Sequence, residues 1–217
     1  MYVKLDGKLD FDQWAEGIKQ GRSYVGDGRS HLIDFTVNDR EIGTGGSELR
    51  LAKPGPVKVR VKAAAYLPKE QTAEAKKIQS RPQHEKPFCD IERARSGCSR
   101  KVPVELVVNG YPVKSATKEL VADGQPHDLE FDVAIERSSW IAVRILPSGH
   151  TNPVFVLVGE RPIRASRRSA QWRLKSIDQC WTLKEPGIRD HEKAEAKRAY
   201  EQAKAIYRKI LEECPVE

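Results

Sequence analysis

The segment Val57-Lys58-Val59-Arg60-Val61-Lys62-Ala63 alternates apolar and basic side chains over seven residues. A period of two is typical of a β-strand with one buried face and one solvent face. The same period recurs along much of the chain, in residues 33–37, 49–51, 104–108, 129–135, 140–146 and 154–158. Because turns rather than crossover helices separate these segments, we predict a mainly β protein with an immunoglobulin-like antiparallel β-sandwich over about 29–160.

Three local signals refine this prediction. In the strand that begins near residue 31, Ile33, Phe35 and Val37 are expected to share the buried face. Asn109-Gly110 predicts a tight hairpin, because this pair adopts the positive φ angles that a two-residue turn requires. Trp140 is expected in the core, at the start of a buried strand.

Helices are predicted at both ends of the chain. Asp10 is a good N-cap, apolar residues at helical spacing follow it, and Gly21 ends the segment, so we predict a short N-terminal helix. After Pro162 the apolar residues recur at spacings of three and four, and Glu185-Pro186-Gly187 interrupts them. We therefore predict a C-terminal αα-hairpin over 161–217 that packs on the sandwich.

Composition excludes several classes of protein. The 217 residues include 38 Lys plus Arg and 31 Asp plus Glu, a net charge of +7, with 39% hydrophobic residues, as in an ordinary globular protein. No apolar run approaches the roughly 20 residues of a membrane span. The first residues lack a signal peptide, so localisation is left open, including export of a longer parent.

Residues 68–101 are charged and proline-containing, and we interpret them as an insertion.

The residues that usually carry chemistry are dispersed. The five histidines lie far apart, and no metal-ligand or nucleophile motif is present. We therefore expect no catalytic residue, metal site or cofactor in this chain. Among the four cysteines, Cys89 and Cys98 enclose a short loop and are either free thiols or a disulfide.

A basic run precedes and enters the first helix of the hairpin. Its members are Arg161, Arg164, Arg167, Arg168, Arg173 and Lys175, and Trp172 lies among them. Such a run could bind phosphates and stack a base. The alternative is an ordinary basic helix start with Trp172 on the apolar side, and we favour this alternative over nucleic-acid binding.

Several strings, in this order, resemble one family. They are Gly21–Val25 with Asp27-Gly28 and Ser30-His31, then Asp90–Arg95, Val108–Gly110, Ser138–Arg144, His150–Val156 and Pro162–Ser166. Together they resemble the C-terminal region of CehA/McbA-type metallohydrolases, which belong to the PHP (polymerase and histidinol phosphatase) superfamily. The His-x-His and Asp-x-His ligand motifs of that family's catalytic barrel do not occur in this sequence.

The resemblance implies that residues 1–28 are the end of a catalytic barrel whose ligands, with a divalent metal, belong to a longer parent chain. Residues 29–217 would then be a non-catalytic accessory domain that covers the barrel and shapes its substrate cleft. The residues expected to face that cleft are Arg22, Asp27, His31, Arg144 and His150.

The expected partner is therefore the upstream barrel. Without it, Phe11, Trp14 and Ile18 would form an uncovered stripe, and Tyr24-Val25 a strand with no obvious neighbour, so self-association through residues 1–28 is expected. Two alternatives stay open. One is a stand-alone sandwich that binds carbohydrate or protein through an exposed aromatic patch, and the other is nucleic-acid binding through Arg161–Lys175.

Overall fold

The alternating segment around Val59 forms the strand Gly55–Ala65, in which Val57, Val59, Val61 and Ala63 are all buried. The computed structural model describes residues 1–214. Over these residues the strands and helices are β1 (Tyr2–Val3), α1 (Phe11–Gln20), β2 (Ser23–Gly26), β3 (Ser30–Val37), β4 (Arg40–Glu41), β5 (Glu48–Leu51), β6 (Gly55–Ala65), α2 (Ala73–Ser80), β7 (Lys101–Val108), β8 (Tyr111–Pro112), β9 (Lys118–Val121), β10 (His127–Ile135), β11 (Ser139–Ile145), β12 (Gly149–Thr151), β13 (Val154–Val158), α3 (Arg167–Lys184) and α4 (Asp190–Glu213).

The strands form two sheets, as the alternation predicts. The smaller sheet has the order β10-β6-β3-β4, and every pair in it is antiparallel. The larger sheet has the order β1-β2-β12-β11-β13-β5, with β7 joined to β11 and with β8 and β9 joined to β7. Its pairs are antiparallel apart from β13 and β5, which run parallel. The fold is mainly β and antiparallel, with a short N-terminal helix and a C-terminal helical pair.

One hydrophobic core joins the two sheets. Phe35 and Phe131 of the smaller sheet and Leu106, Ile141 and Val156 of the larger sheet belong to the same buried cluster. Because side chains from both inner faces fill a single interior, the two sheets form the predicted sandwich.

The predicted inner face of β3 is wrong in one position. Leu32, Phe35 and Val37 are buried, whereas Ile33 is half-buried. The register with β6 shifts between Ile33 and Thr36, and Asp34 has a φ of 52°. This bulge adds a residue to one side of the ladder and so reverses the alternation that precedes it.

Two local predictions in the larger sheet have different outcomes. Asn109 and Gly110 both have positive φ angles and join β7 to β8, which confirms the hairpin. The prediction that Trp140 lies in the core is wrong: it is half-buried and outside the core cluster, between the buried Ser139 and Ile141. Successive side chains of a strand point to opposite faces, so Trp140 lies on the outer face.

Residues 68–101 contribute to the sandwich core. Thr72 accepts a hydrogen bond from the backbone nitrogen of Ala75 and caps α2. Ile91 and Ala94, in a short 3₁₀ turn, belong to the core cluster. The segment predicted as an insertion is therefore anchored by its own apolar side chains.

The N-terminal helix begins and ends as predicted. Asp10 accepts a hydrogen bond from the backbone nitrogen of Gln13, and Gly21 closes α1 with a φ of 78°. The expectation that the strand containing Tyr24 has no neighbour is wrong. β2 pairs with β1 on one side and with β12 on the other.

The chain divides into two units, and the second begins at Pro162. Within it, α3 and α4 form the predicted hairpin, and the rings of Trp181 and Tyr200 meet edge to face at 5.1 Å. Lys204 Nζ lies 2.9 Å from the Asp178 carboxylate and joins the two helices.

Across residues 1–214, no helix has the length and apolar composition needed to cross a bilayer.

Candidate functional site

A cavity of about 220 Å³ lies where β1, β2, β3 and β4 come together. Its apolar part is formed by side chains such as Leu32 and Phe35, which belong to the core. Its charged part consists of Lys4, Arg22, Asp34 and Glu41, and Tyr2 and Tyr24 complete the lining. A cavity with an apolar base and a few convergent polar groups is the usual form of a ligand site.

Strand pairing brings the charged residues together. β1 lies antiparallel to β2, and the backbone nitrogen of Lys4 donates to the carbonyl of Arg22 at 3.2 Å. The β3–β4 hairpin places Glu41 opposite Thr36. The bulge in β3 changes the direction of Asp34, so its carboxylate reaches Lys4.

Lys4 is the centre of an ion-pair group. Its Nζ atom hydrogen-bonds Glu41 and lies 3.1 Å from Asp34 Oδ1. The hydrogen bond to Glu41 raises the pKa of Lys4 most strongly, followed among favourable contacts by the bond to Asp34. The hydrogen bond from Lys4 is also the largest cause of the lowered pKa of Asp34. Lys4 and Asp34 are therefore both charged at neutral pH.

Arg22 lies beside this group, and one of its donor atoms is buried without a partner among residues 1–214. Its Nη1 and Nη2 atoms hydrogen-bond the Asp6 carboxylate at 2.9 and 3.3 Å, which is the main cause of the raised pKa of Arg22. Its Nε atom is buried, and it has no hydrogen-bond partner within residues 1–214. A buried donor without a partner is energetically costly.

His31 contacts Tyr24, one of the residues that line the cavity. The Tyr24 hydroxyl and His31 Nδ1 are 2.9 Å apart, and the ring of Tyr2 stacks on Tyr24 at 5.0 Å. Burial, with a smaller contribution from Tyr2, raises the pKa of Tyr24 to about 12. The phenol is therefore neutral at physiological pH and can act as a hydrogen-bond donor.

Asp27, also predicted to face a cleft, has both carboxylate oxygens occupied. Oδ1 accepts from the backbone nitrogen of Arg29 at 2.9 Å, and Oδ2 accepts from the backbone nitrogen of Ile91 at 3.0 Å. These bonds fasten the β2–β3 turn to the 3₁₀ turn at 91–94. The contacts of Asp27 are structural.

Arg144 and His150 lie on the larger sheet, opposite each other on β11 and β12. Arg144 Nε lies 2.6 Å from Glu105 Oε2, and His150 is exposed. The structure thus places Arg22 in the lining of the cavity and His31 against the Tyr24 side of it, pairs Arg144 with His150 on adjacent strands, and places Asp27 in a turn.

The basic run is only partly free. Arg164 Nε lies 2.6 Å from Glu213 Oε2, and Arg167 donates to the carbonyl of Leu211 at 2.9 Å. Arg161, Arg168, Arg173 and Lys175 are exposed.

In the described part of the chain, no three His, Cys, Asp or Glu side chains are grouped so as to hold a metal ion, and all four cysteines are free.

Sequence reasoning did not identify Lys4, Asp34 or Glu41 as site residues. Asp34 carried a partial signal, as the one acidic residue in the apolar part of β3. Lys4 and Glu41 are 37 positions apart, and only the β1–β2 and β3–β4 pairings bring them together.

No family model matches the chain, and no curated protein matches its sequence.

Proposed function

We propose that this chain is a non-catalytic accessory module of a metal-dependent hydrolase of the CehA/McbA type. In this proposal it covers the catalytic barrel of the parent chain and forms one side of the substrate cleft. The resemblance implies that the parent hydrolyses an ester, carbamate or phosphoester with metal-activated water, and that the metal ligands are contributed by the barrel.

The main support is an exposed aromatic surface on α1. The side chains of Leu9 and Phe11 are 86% and 75% exposed, and the ring of Phe11 stacks on Trp14 at 5.9 Å. Further along the helix, the buried Gly17 lies beside Val3 of β1. The C-terminal half of α1 is thus fixed to the sandwich, whereas its N-terminal end presents exposed apolar side chains, in the segment that resembles the end of the barrel domain.

The cavity supports a role next to the cleft. Arg22 follows Gly21, the residue that ends α1, so the unpartnered Nε donor and the aromatic surface belong to consecutive segments. A module that docks through α1 would hold Arg22 close to the docked barrel. In this role Arg22 and the other charged side chains of the cavity would contact the substrate, while the barrel performs the chemistry.

The parentage can be tested directly. The reading frame upstream of the Met1 codon should encode His-x-His and Asp-x-His motifs. An antiserum raised against this chain should detect a native product well above 24.5 kDa. A native product of 24.5 kDa, together with an upstream frame that lacks those motifs, would disprove the proposal.

The α1 surface can be tested by sedimentation velocity of the purified chain. We expect concentration-dependent self-association through Leu9, Phe11 and Trp14, because no barrel covers them. Phe11→Ser with Trp14→Ser should abolish the association, whereas the control Tyr111→Ser, at a distant exposed aromatic, should not. Association that persists in the double variant would assign the contact to another surface.

A second candidate function is carbohydrate or protein binding on the outer face of the larger sheet. Phe155 is 37% exposed and lies directly opposite the half-buried Trp140 on the neighbouring strand. Flat aromatic surfaces of this kind suit sugar rings. Retardation of the chain by a polysaccharide in native electrophoresis, lost in Phe155→Ala and kept in Phe11→Ser, would favour this function over the accessory role.

A further inference from the structure

Trp172 lies on the solvent side of α3, contrary to the favoured expectation that it lies on the apolar side. Its side chain is 62% exposed. The apolar stripe of α3, formed by Ala170, Leu174 and Ile177, is buried or half-buried. A residue two positions from Ala170 is turned by about 200° around a helix, so Trp172 points away from that stripe.

Basic residues flank Trp172 on the same face. Arg168, Trp172 and Lys175 are separated by four and three residues, the spacing of neighbours on one side of a helix, and all three are exposed. The guanidinium carbon of Arg173 lies 5.2 Å from the centre of the Trp172 ring. We call Arg168, Trp172, Arg173 and Lys175 the α3 basic face.

The charge of this face is uncompensated. No Asp or Glu occurs between Glu160 and Asp178. The basic residues of the run that do have partners, Arg164 and Arg167, contact Glu213 and the Leu211 carbonyl. Arg168, Arg173 and Lys175 form no ion pair with any residue in 1–214. A negatively charged partner is therefore complementary to the face.

We propose that the α3 basic face binds single-stranded nucleic acid. An exposed indole can stack on an unpaired base, and flanking Arg and Lys side chains can neutralise the adjacent phosphates. Duplex DNA keeps its bases stacked on one another, so it offers no free base for Trp172. An anionic membrane is favoured less, because the exposed face contains one aromatic residue among charged ones, whereas membrane-binding helices have a broad apolar face.

The test uses the full chain and a fluorescein-labelled oligothymidylate of about 20 nucleotides, with anisotropy measured at several salt concentrations. Trp172→Ala should weaken binding about tenfold, a loss typical of one base–aromatic stack. Arg168→Ala with Lys175→Ala should reduce the slope of log K against log salt by about 1.4, because each lost phosphate contact contributes about 0.7.

The control is Lys197→Ala with Arg198→Ala, which removes the same charge from exposed positions of α4. This variant should bind within about twofold of the unmodified chain, since only general charge is lost. Circular dichroism should show that all variants fold, because every changed side chain is exposed.

Three outcomes would overturn the proposal. One is an equal loss of affinity in the α4 control, which would mean non-specific charge attraction. Another is binding of a matched duplex as tight as that of the single strand, which would exclude base stacking. The third is a lack of oligonucleotide binding with retention on phosphatidylserine vesicles, which would assign the face to membranes.

Discussion

The Tyr24 hydroxyl and His31 Nδ1 are 2.9 Å apart and join β2 of one sheet to β3 of the other. Tyr24 lines the charged cavity and His31 lies next to it, so this hydrogen bond links the cavity wall to β3. The edge contact of Tyr2 with His31, with ring centres 4.9 Å apart, adds the N-terminal strand to the same group.

Tyr24→Phe should destabilise the chain by about 1 kcal/mol at neutral pH, because one hydrogen bond is lost. It should also change how the free energy of unfolding decreases at alkaline pH. The pKa of Tyr24 is about 12 in the folded state and about 10 when unfolded, so its contribution is complete below pH 10 and is lost as the pH rises towards 12. Urea unfolding at pH 7 and above pH 10 measures both effects. Tyr111→Phe is the control. If the unfolding free energy of Tyr24→Phe fell with pH as steeply as that of the unmodified chain, Tyr24 would not be the source of the alkaline loss of stability.

Glu92 and Arg95 form a buried ion pair with side chains 3% and 1% exposed. Arg95 donates from Nε at 2.7 Å and from Nη2 at 3.0 Å to the two carboxylate oxygens. Arg95→Met should cost about 3–5 kcal/mol in unfolding free energy, because it leaves a buried carboxylate unpaired. Glu92→Leu with Arg95→Met should cost clearly less than the sum of the single changes. Strict additivity in chemical denaturation would mean that the pair is not coupled.

Asp34→Asn should alter the pH dependence of stability on both sides of neutrality. The lowered pKa of Asp34 means that its contribution is present above about pH 4 and is lost as the pH falls through the folded-state value. The raised pKa of Lys4 means that its share is present below about pH 10.5 and is lost above the folded-state value. The unfolding free energy of Asp34→Asn should differ from that of the unmodified chain by less than about 1 kcal/mol near pH 7, since Asp34 and Lys4 are both solvent-accessible.

This difference should shrink in acid and in strong alkali, as thermal unfolding at a series of pH values will show. Asn tolerates the left-handed backbone of position 34, so the change leaves the bulge intact. The control is Asp128→Asn, at an exposed residue that forms no ion pair within the described residues. A difference that is independent of pH would exclude the Lys4 contact as its source.

Gly17→Ala should destabilise the chain, although alanine favours a helix by up to about 1 kcal/mol over glycine. The added Cβ would overlap Cγ1 of Val3 and push β1 from α1. In a Val3→Ala background the same change should become stabilising, because the obstructing methyl group is gone. Differential scanning calorimetry of the four variants tests this reversal, and a stabilising Gly17→Ala in the unmodified background would contradict the packing of α1 on β1.

The elements that sequence predicted are those set by local chemistry. Asp10 and Gly21 define α1, and Asn109-Gly110 defines a hairpin, because each depends on a few adjacent residues. The bulge at Asp34 was not predicted, since an alternating pattern gives no sign that one residue has been added to a ladder. The parallel pairing of β5 with β13 was also missed, because it joins strands more than 100 residues apart.

The candidate site was predicted in part. Arg22 and His31 were named from the string resemblance, and both lie at or next to the cavity. Lys4 and Glu41 have no motif around them and come together only through strand pairing. Trp140 was expected in the core, yet it lies on the outer face, because alternation identifies the two faces of a strand but not which one is buried.

The order of strands in the larger sheet has a consequence for how the chain folds. β2, formed by residues 23–26, pairs with β12, and β5 pairs with β13. These two strands are therefore synthesised long before their partners, which end at Thr151 and Val158. Contacts between distant residues cost loop entropy before they add stability, and proteins rich in such contacts fold slowly. During synthesis the sheet cannot be completed until residue 158 has left the ribosome. The first 150 residues must therefore remain soluble as a nascent chain with open strand edges, a state in which chaperones bind.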